Sequence, residues 1–184
     1  QGDEKSDYTN TYKPNGTDID TVTTYFYHIT GNDLARAVNA NADSYMTKSE
    51  TRRASDNSKK QFSYYTGTES GEEQIDWSQE YNYNGLAVKT TTVYDHDASG
   101  ALTLSTVYKY AIEVIVRPLA SVLILKKSET FYKGSKGDEK SDYTNNYKAN
   151  GLDIDTVTTY FYHILGNDFA SAADANADSY MTRT

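Results

Sequence analysis

The sequence contains no cysteine, and only two of its 184 residues are proline. Without cysteine, no disulfide staples a segment that is too short to fold by itself. The absence does not by itself require a cytosolic protein. Basic residues are also scarce, with 18 against 26 acidic ones and a net charge of −8. Nucleic-acid binding depends on clustered Lys and Arg, so we predict no nucleic-acid partner.

Long hydrophobic runs are lacking as well. The most apolar stretch, residues 111–125, is shorter than a membrane-spanning helix needs to be. Glu113, Arg117 and Pro118 also interrupt it. We therefore predict that this stretch is a buried strand and that the chain has no membrane span.

Tyrosine is present in excess, with 18 Tyr against five Phe and one Trp. Tyr, Thr and Val favour the half-buried surface of a sheet, where Tyr keeps its hydroxyl in water above an apolar ring. The composition predicts a mainly β fold with little helix. Residues 33–44 are rich in alanine and are a candidate for a short helix with Asn32 or Asp33 as its N-cap, although Asn is a weak helix former.

The chain also repeats itself. Residues 2–47 return as residues 137–182, and only eight of the 46 aligned positions differ. A weaker repeat relates residues 59–67 to residues 126–134, at an offset of 67. We divide the chain into half A (1–68), half B (69–135) and a partial next repeat, A′ (136–184). The A′ segment is too short to fold alone, so we expect it to pack on or complete a neighbouring unit.

Each half has the sequence pattern of a β-meander. Asn-Gly is the strongest short signal for a type I′ hairpin turn, and it occurs between runs rich in Tyr, Thr and Val. The three turns are Asn15-Gly16, Asn84-Gly85 and Asn150-Gly151. Polar loops that contain glycine are predicted at residues 56–60, 67–73 and 134–140. The predicted architecture is a tandem array of β-meanders with sandwich-like or solenoid-like sheets.

Alternation typical of a strand is clearest over residues 101–117, where every second residue from Leu102 to Val116 is predicted to face inward. So long a strand would extend for about 50 Å, so we expect a bend, bulge or change of sheet within it. Further inward positions are Tyr83, Leu86, Val88 and Thr92. The residues that we expect to pack in the core are Trp77, Tyr81, Tyr94, Tyr108, Ile112 and Val114, with Val22 and Phe26 in half A.

One segment has features of a calcium loop. Asp95, Asp97 and Ser99 alternate ahead of Gly100, a pattern that suits a hard cation and a sharp turn. The twelfth position is Thr106, where a calcium loop carries a bidentate Glu. A hairpin turn without a metal is the other interpretation.

The same segment resembles the YD repeat of Rhs-type proteins, in which the pattern Tyr-x-Tyr-Asp-x-x-Gly-Arg-Leu-Thr forms the hairpins of a β-shell. The matching residues are Tyr94, Asp97, Gly100, Leu102 and Thr103. This resemblance implies a shared hairpin. The long period, the richness in Tyr and Thr and the near-identical copies resemble the giant tandem-repeat proteins of bacterial surfaces and extracellular fibres.

Motifs for catalysis are missing, since neither G-x-S-x-G nor H-E-x-x-H occurs. We interpret the three histidines, His28, His96 and His163, as strand-end residues near turns, because none has a second histidine at metal-ligand spacing. The pairs Asp18/Asp20 and Asp153/Asp155 are interpreted as protection of a sheet edge rather than as glycosidase carboxylates. We predict no enzymatic activity, no catalytic residue, no cofactor and no metal site.

The repeat then leads to a prediction of function. We expect a structural protomer of an extracellular filament or fibrous surface protein, located outside the cell or on its surface. The predicted partner is the protein itself: copies join head-to-tail into a homopolymer, and A′ strands complete the next unit by strand complementation. The alternative is a surface adhesin repeat that binds carbohydrate through exposed Tyr and Asp side chains, with glycans as its partners.

Overall fold

The computed structural model describes residues 4–184; Gly2 and Asp3, at the start of the first repeat copy, lie outside the described residues. The predicted mainly β fold is confirmed, because the described chain is largely an antiparallel meander. Its strands are β1 (Tyr8–Tyr12), β2 (Ile19–Ile29), β3 (Asn32–Ala35), β4 (Met46–Arg53), β5 (Lys59–Thr66), β6 (Gln74–Tyr81), β7 (Val88–His96), β8 (Leu102–Tyr108), β9 (Lys126–Lys133), β10 (Lys140–Tyr147), β11 (Ile154–Thr159), β12 (Phe161–Ile164), β13 (Asn167–Ala170) and β14 (Met181–Arg183). Two short 3₁₀ turns, Ala37–Asn39 and Ala120–Val122, are the helical segments of this part of the chain.

The chain divides into two compact units. Unit 1 contains the described residues up to Thr91 together with Ala111–Arg117. Its strands follow the order β1-β2-β4-β5-β6, β3 pairs with β2, and β7 contributes residues 88–91. Neighbouring strands in this order are therefore also neighbours along the chain, apart from the short β3.

Unit 2 contains Thr92–Tyr110 and Pro118–Thr184. Its strands β8, β9, β10 and β11 again lie side by side in chain order, with residues 92–96 of β7 beside β8. A separate three-stranded sheet has β12 in the middle, between β13 and β14. Unit 2 thus contains one meander and one small sheet.

The two near-identical sequence copies pair their first two strands in the same way. Tyr8 of β1 lies opposite Thr24 of β2, and Tyr143 of β10 lies opposite Thr159 of β11. A register shift follows at Tyr12 in the first copy and at Tyr147 in the second. Because the same register forms in each unit, the local hairpin sequence is sufficient to specify it.

The three predicted Asn-Gly hairpins form, but the predicted type I′ turn is wrong. Positive φ angles of 72°, 70° and 69° occur at the glycines Gly16, Gly85 and Gly151. The asparagine before each of them does not have a positive φ, and Asn57 is the one non-glycine residue of the described chain that does. In the first turn, Asn15 Oδ1 instead accepts the N–H groups of Thr17 and Asp18, each at 3.1 Å. The asparagine therefore supports the turn through its side chain, and glycine takes the left-handed position.

The predicted strand over residues 101–117 is wrong beyond Tyr108. Strand β8 ends there, and residues 109–125 form a long connection to β9. In half A the long connection comes earlier, at residues 30–45, and it contains β3 and a 3₁₀ turn where a helix was a candidate. The weaker repeat, with its offset of 67 positions, aligns β5 with β9. The strands before them do not follow this offset: β4 and β8 begin 56 positions apart, because the long connection comes before β4 in half A and after β8 in half B.

Burial confirms part of the predicted core. Trp77, Tyr81 and Val88 are buried, and the last two pack with Phe62 in unit 1. Other residues predicted to face inward are half-buried, namely Val22, Phe26, Thr92, Tyr94, Leu102, Leu104, Tyr108, Tyr110 and Val114. The prediction is wrong for four exposed residues, Tyr83, Leu86, Ile112 and Val116. All four lie in turns or connections, where no neighbouring strand covers them.

Candidate assembly surface

The outermost strand of each meander has an open edge. In unit 1, β1 pairs with β2 and has no second neighbour among the described residues; in unit 2, β11 pairs with β10 and likewise has no second neighbour there. An open edge presents unpaired N–H and C=O groups that a further strand can bind. These two edges are therefore the candidate assembly surface of the chain.

Hydrogen bonds show which backbone groups face the open edges. The Tyr25 N–H donates to Asp7 O at 3.1 Å. By alternation, the backbone N–H and C=O groups of Thr9 point toward β2, and those of Tyr8 and Asn10 point toward the open edge. In unit 2 the Tyr160 N–H donates to Asp142 O at 3.1 Å. By the same alternation, the outward N–H groups of β11 belong to residues 157 and 159.

The edges carry apolar and aromatic side chains. Tyr8 and Tyr12 of β1 are 58% and 54% exposed, and Ile154 and Val157 of β11 are also exposed. Exposed edges with apolar side chains favour association unless charges block them. One charge, Asp155, lies on β11 itself.

The predicted edge protection by paired carboxylates is wrong in half A. Asp18 precedes β2 and accepts a hydrogen bond from Asn15 Nδ2 at 2.8 Å, so it belongs to the turn. Asp20 lies on β2, which has β1 and β4 on its two sides, and it forms an ion pair with Lys60 at 3.4 Å. Asp153 repeats the turn contact with Asn150 at 2.8 Å, which leaves Asp155 as the one carboxylate of the four on an edge strand.

A segment of the long connection is held on unit 1 by polar contacts. We name residues 111–117 the strap. Lys59 Nζ lies 2.5 Å from Glu113 Oε1, and Arg117 forms an ion pair with Asp76. The strap is thus attached to the beginning of both β5 and β6.

Gln79 binds the strap through its side-chain amide, which donates to one backbone carbonyl and accepts from one backbone N–H, as the backbone of a neighbouring strand would. Its Nε2 donates to Ile112 O at 2.8 Å, and its Oε1 accepts the Val114 N–H at 3.1 Å. The same Nε2 donates to Thr91 Oγ1 at 3.0 Å. Gln79 is 1% exposed, so its side-chain amide has no access to water as a replacement partner.

The prediction that residues 111–125 form a buried strand is wrong. Within the strap, Ile112, Ile115 and Val116 are 61%, 80% and 69% exposed. In residues 118–125, which belong to unit 2, Leu119 and Ile124 are exposed as well. The strap binds unit 1 through its backbone and charged side chains, and the side chains of Ile112, Ile115 and Val116 therefore remain largely in solvent.

A charged cluster lies on β4 of unit 1. Glu50 pairs with Lys48 at 2.6 Å and with Arg52 at 3.0 Å, and Lys48 Nζ lies 4.7 Å from the centre of the Phe62 ring. Burial by itself raises the pKa of Glu50, but the hydrogen bonds from Lys48 and Arg52 outweigh it and hold that pKa below its usual value. Burial, together with the nearby carboxylates, raises the pKa of Tyr64 to about 12.

Acid should weaken unit 1 through this cluster. A carboxylate whose pKa is lowered by folding stabilises the protein above the ordinary pKa of 4.5, and that contribution is lost as the pH falls below it. We expect Glu50→Gln to cost about 2 kcal/mol at neutral pH, because two cations lose their carboxylate. The free energy of unfolding of this variant, measured in urea, should also fall less than that of wild type between about pH 5 and pH 3.

Glu80→Gln is the matched control for this prediction. Its ion pair with Lys89, at 3.3 Å, is about half exposed on both sides. An exposed pair contributes about 0–1 kcal/mol, so the free energy of unfolding of this variant in urea should remain close to that of wild type. A Glu50→Gln protein with the full acid dependence of wild type would contradict the assignment to Glu50.

The candidate calcium loop is a hairpin turn between β7 and β8. Asp97 Oδ1 accepts the N–H groups of Ser99 and Ala101, at 2.8 Å and 3.0 Å, as well as the Ser99 hydroxyl. The Ser99 hydroxyl and these N–H groups lower the pKa of Asp97. The described residues contain no group of three His, Asp or Glu side chains placed to hold a metal ion. The hairpin interpretation therefore accounts for Asp97 within its own turn.

The histidines lie at strand ends, as predicted, but sequence reasoning missed their partners. His28 Nδ1 lies 2.5 Å from Asp33 Oδ1, and its ring stacks on Tyr45 with centres 4.6 Å apart. In the second copy, His163 repeats both contacts, with Asp168 at 2.5 Å and Tyr180 at 4.9 Å. The spacing His-x₄-Asp, retained in both copies, was the available signal.

Comparison with protein-family models, with curated proteins and with solved structures finds no match. The resemblance to YD repeats and the adhesin alternative therefore stay predictions. In the described part of the chain, no helix has the length and apolar character needed to cross a membrane.

Proposed function

We propose that this chain is a structural unit of an extracellular filament or fibrous surface protein, whose copies join through the open edges of β1 and β11. The observation that carries the proposal is that the meander of each unit ends in a strand that is paired on one side and open on the other among the described residues. Strand addition uses backbone hydrogen bonds for affinity and alternate side chains for register. Both edges offer these groups to a second copy.

The two edges differ from each other, and this difference supports a fibre. β1 has the sequence Tyr-Thr-Asn-Thr-Tyr, and β11 has the sequence Ile-Asp-Thr-Val-Thr-Thr. Contact between two different surfaces of the same molecule is head-to-tail. Such contacts do not close after two copies and therefore extend into a filament.

The proposal predicts association that depends on concentration and on β11. Val157→Pro removes an outward N–H without removing a hydrogen bond to β10, so the fold should remain intact. We expect this variant to stay monomeric at concentrations at least about tenfold above those at which the wild type associates. Analytical ultracentrifugation and electron microscopy measure both species.

Val157→Thr is the matched control, because it changes the same side chain and keeps the N–H. It should assemble like wild type. Wild-type protein that stays monomeric at high concentration would refute the proposal, as would a Val157→Pro variant that assembles normally.

A further inference from the structure

The structure itself shows what a strand with the β1 sequence binds on its second side. β10 is the repeat copy of β1 and differs from it at one position of five over residues 143–147, where Asn146 replaces Thr11. In unit 2, β10 has β11 on one side and β9 on the other. The side of β1 that is open corresponds to the side of β10 that binds β9.

Three side-chain contacts join β9 to β10. The Phe131 and Tyr143 rings stack with centres 4.5 Å apart, and the hydroxyls of Thr130 and Thr144 lie 2.8 Å apart. The Tyr147 hydroxyl donates to Glu129, whose carboxylate also binds Lys126 at 2.5 Å. The three β10 residues correspond to Tyr8, Thr9 and Tyr12 of β1.

β1 already has the arrangement that β10 uses. The Thr9 hydroxyl lies 3.2 Å from the Tyr25 hydroxyl, and the equivalent distance between Thr144 and Tyr160 is 3.1 Å. Tyr8 and Tyr12 are exposed, whereas their counterparts in β10 are half-buried. The recognition groups of β1 are therefore preformed and unoccupied within the described residues.

The glycines of the hairpin turns provide an independent observation. A Cβ built on Gly151 lies 2.7 Å from Leu125 Cα, and the Lys126 N–H donates to Gly151 O at 3.2 Å. A Cβ built on Gly85 lies 2.6 Å from Lys59 N, at the beginning of β5. Each of these glycines thus accommodates the beginning of a neighbouring strand, whereas the same position at Gly16 has open space around it.

We propose that the open edge of β1 binds a strand with the sequence of β9, supplied by another copy of the repeat, with its first residues against Gly16. This inference rests on the proposed function, assembly by strand addition at the open edges, and it specifies that the strand added at the β1 edge is β9 of another copy rather than that copy's β11. In a second copy of this chain, β9 is paired with β10, so β1 competes with a nearly identical strand for it. Assembly at this edge is then an exchange of one repeat copy for the other.

A labelled peptide of residues 124–134 tests the inference on the full chain. We expect saturable binding by fluorescence anisotropy, with NMR shifts at β1 and at Gly16. A scrambled peptide of the same composition should not bind. Shifts at β11 instead of β1 would overturn the inference.

Three variants identify the edge and the contacts. Asn10→Pro removes an outward N–H of β1, Gly16→Ala fills the open space at the turn, and Tyr12→Phe removes the hydroxyl that is equivalent to that of Tyr147. Each should weaken binding by about tenfold or more, since a hydrogen bond to a carboxylate or a backbone approach is lost. Circular dichroism should show that all three remain folded. Binding of the peptide with wild-type affinity by all three variants would overturn the inference.

The result separates this inference from the proposed function. If the chain associates by itself but does not bind the peptide, the inference about β1 is wrong and the proposed function stands. If the peptide binds at β1 and the chain remains monomeric, the inference stands and the proposed function is wrong.

Discussion

Gly85→Ala should destabilise unit 1 by about 3 kcal/mol, whereas the same change at Gly16 should cost about 1 kcal/mol. Both glycines follow asparagine in equivalent turns, with φ angles of 70° and 72°. Alanine at either position has the strain of a left-handed backbone. The prediction therefore depends on what surrounds each added methyl group.

The surroundings differ because Gly85 packs against the turn between β4 and β5. The new Cβ lies 2.6 Å from Lys59 N, 2.9 Å from Ser58 Cβ and 3.0 Å from Lys59 O. Two of these atoms are backbone, so relief requires that the turn or the beginning of β5 move. No atom lies within 4 Å of the Cβ built on Gly16.

Urea unfolding of both variants measures the difference, with circular dichroism in the far ultraviolet as the signal. Gly151→Ala is a second case, because its Cβ meets Leu125 and Lys126 backbone atoms at 2.7 Å and 2.9 Å. It should lose stability like Gly85→Ala. Equal losses at Gly16 and Gly85 would show that backbone strain alone decides the effect.

Gln79→Leu should also cost about 3 kcal/mol and should release the strap. The leucine has a similar volume but removes one hydrogen bond from each of three groups: the Thr91 hydroxyl, the Ile112 carbonyl and the Val114 N–H. Thr91 is fully buried, so its hydroxyl loses a partner without gaining water. Each unsatisfied buried group costs about 1–3 kcal/mol.

Hydrogen exchange separates strap release from general destabilisation. The Val114 amide should exchange about tenfold faster or more in Gln79→Leu, even under conditions in which β2 and β4 remain protected. Gln61→Leu is the matched control, since Gln61 is exposed on β5 and its side chain contacts Ser63 at 3.3 Å. That variant should stay within about 0.5 kcal/mol of wild type. Unchanged exchange at Val114 in Gln79→Leu would contradict the role of Gln79.

Local sequence was sufficient for the elements whose signals are local. The three Asn-Gly hairpins, the polar loop at residues 67–73 and the strand-end histidines form where the sequence predicts them. The loops predicted at residues 56–60 and 134–140 form in part, because β5 begins at Lys59 and β10 begins at Lys140. Trp77 and Tyr81 are buried because they alternate on a strand with neighbours on both sides. The type of turn was mispredicted, since the asparagine side chain bonds to the turn while its own φ stays negative.

The strap was beyond local reasoning for a physical reason. Apolar runs usually indicate burial, because removing apolar side chains from water is favourable. Here the backbone of residues 112–114 binds a side-chain amide from β6, and the side chains of Ile112, Ile115 and Val116 stay exposed. Gln79 itself carried no sequence signal, since a polar residue on a strand ordinarily faces water.

By itself, the sequence determined a mainly antiparallel β chain with hairpins at three Asn-Gly pairs and a repeat of 135 positions. Those features depend on neighbours along the chain, such as turn residues, alternation and β propensity. Only the tertiary structure decided which strands have an open edge and which glycine has a strand against it. Gly16, Gly85 and Gly151 are alike in sequence, and they differ because strand order places the beginning of β5 and of β9 beside two of them and leaves space beside the third.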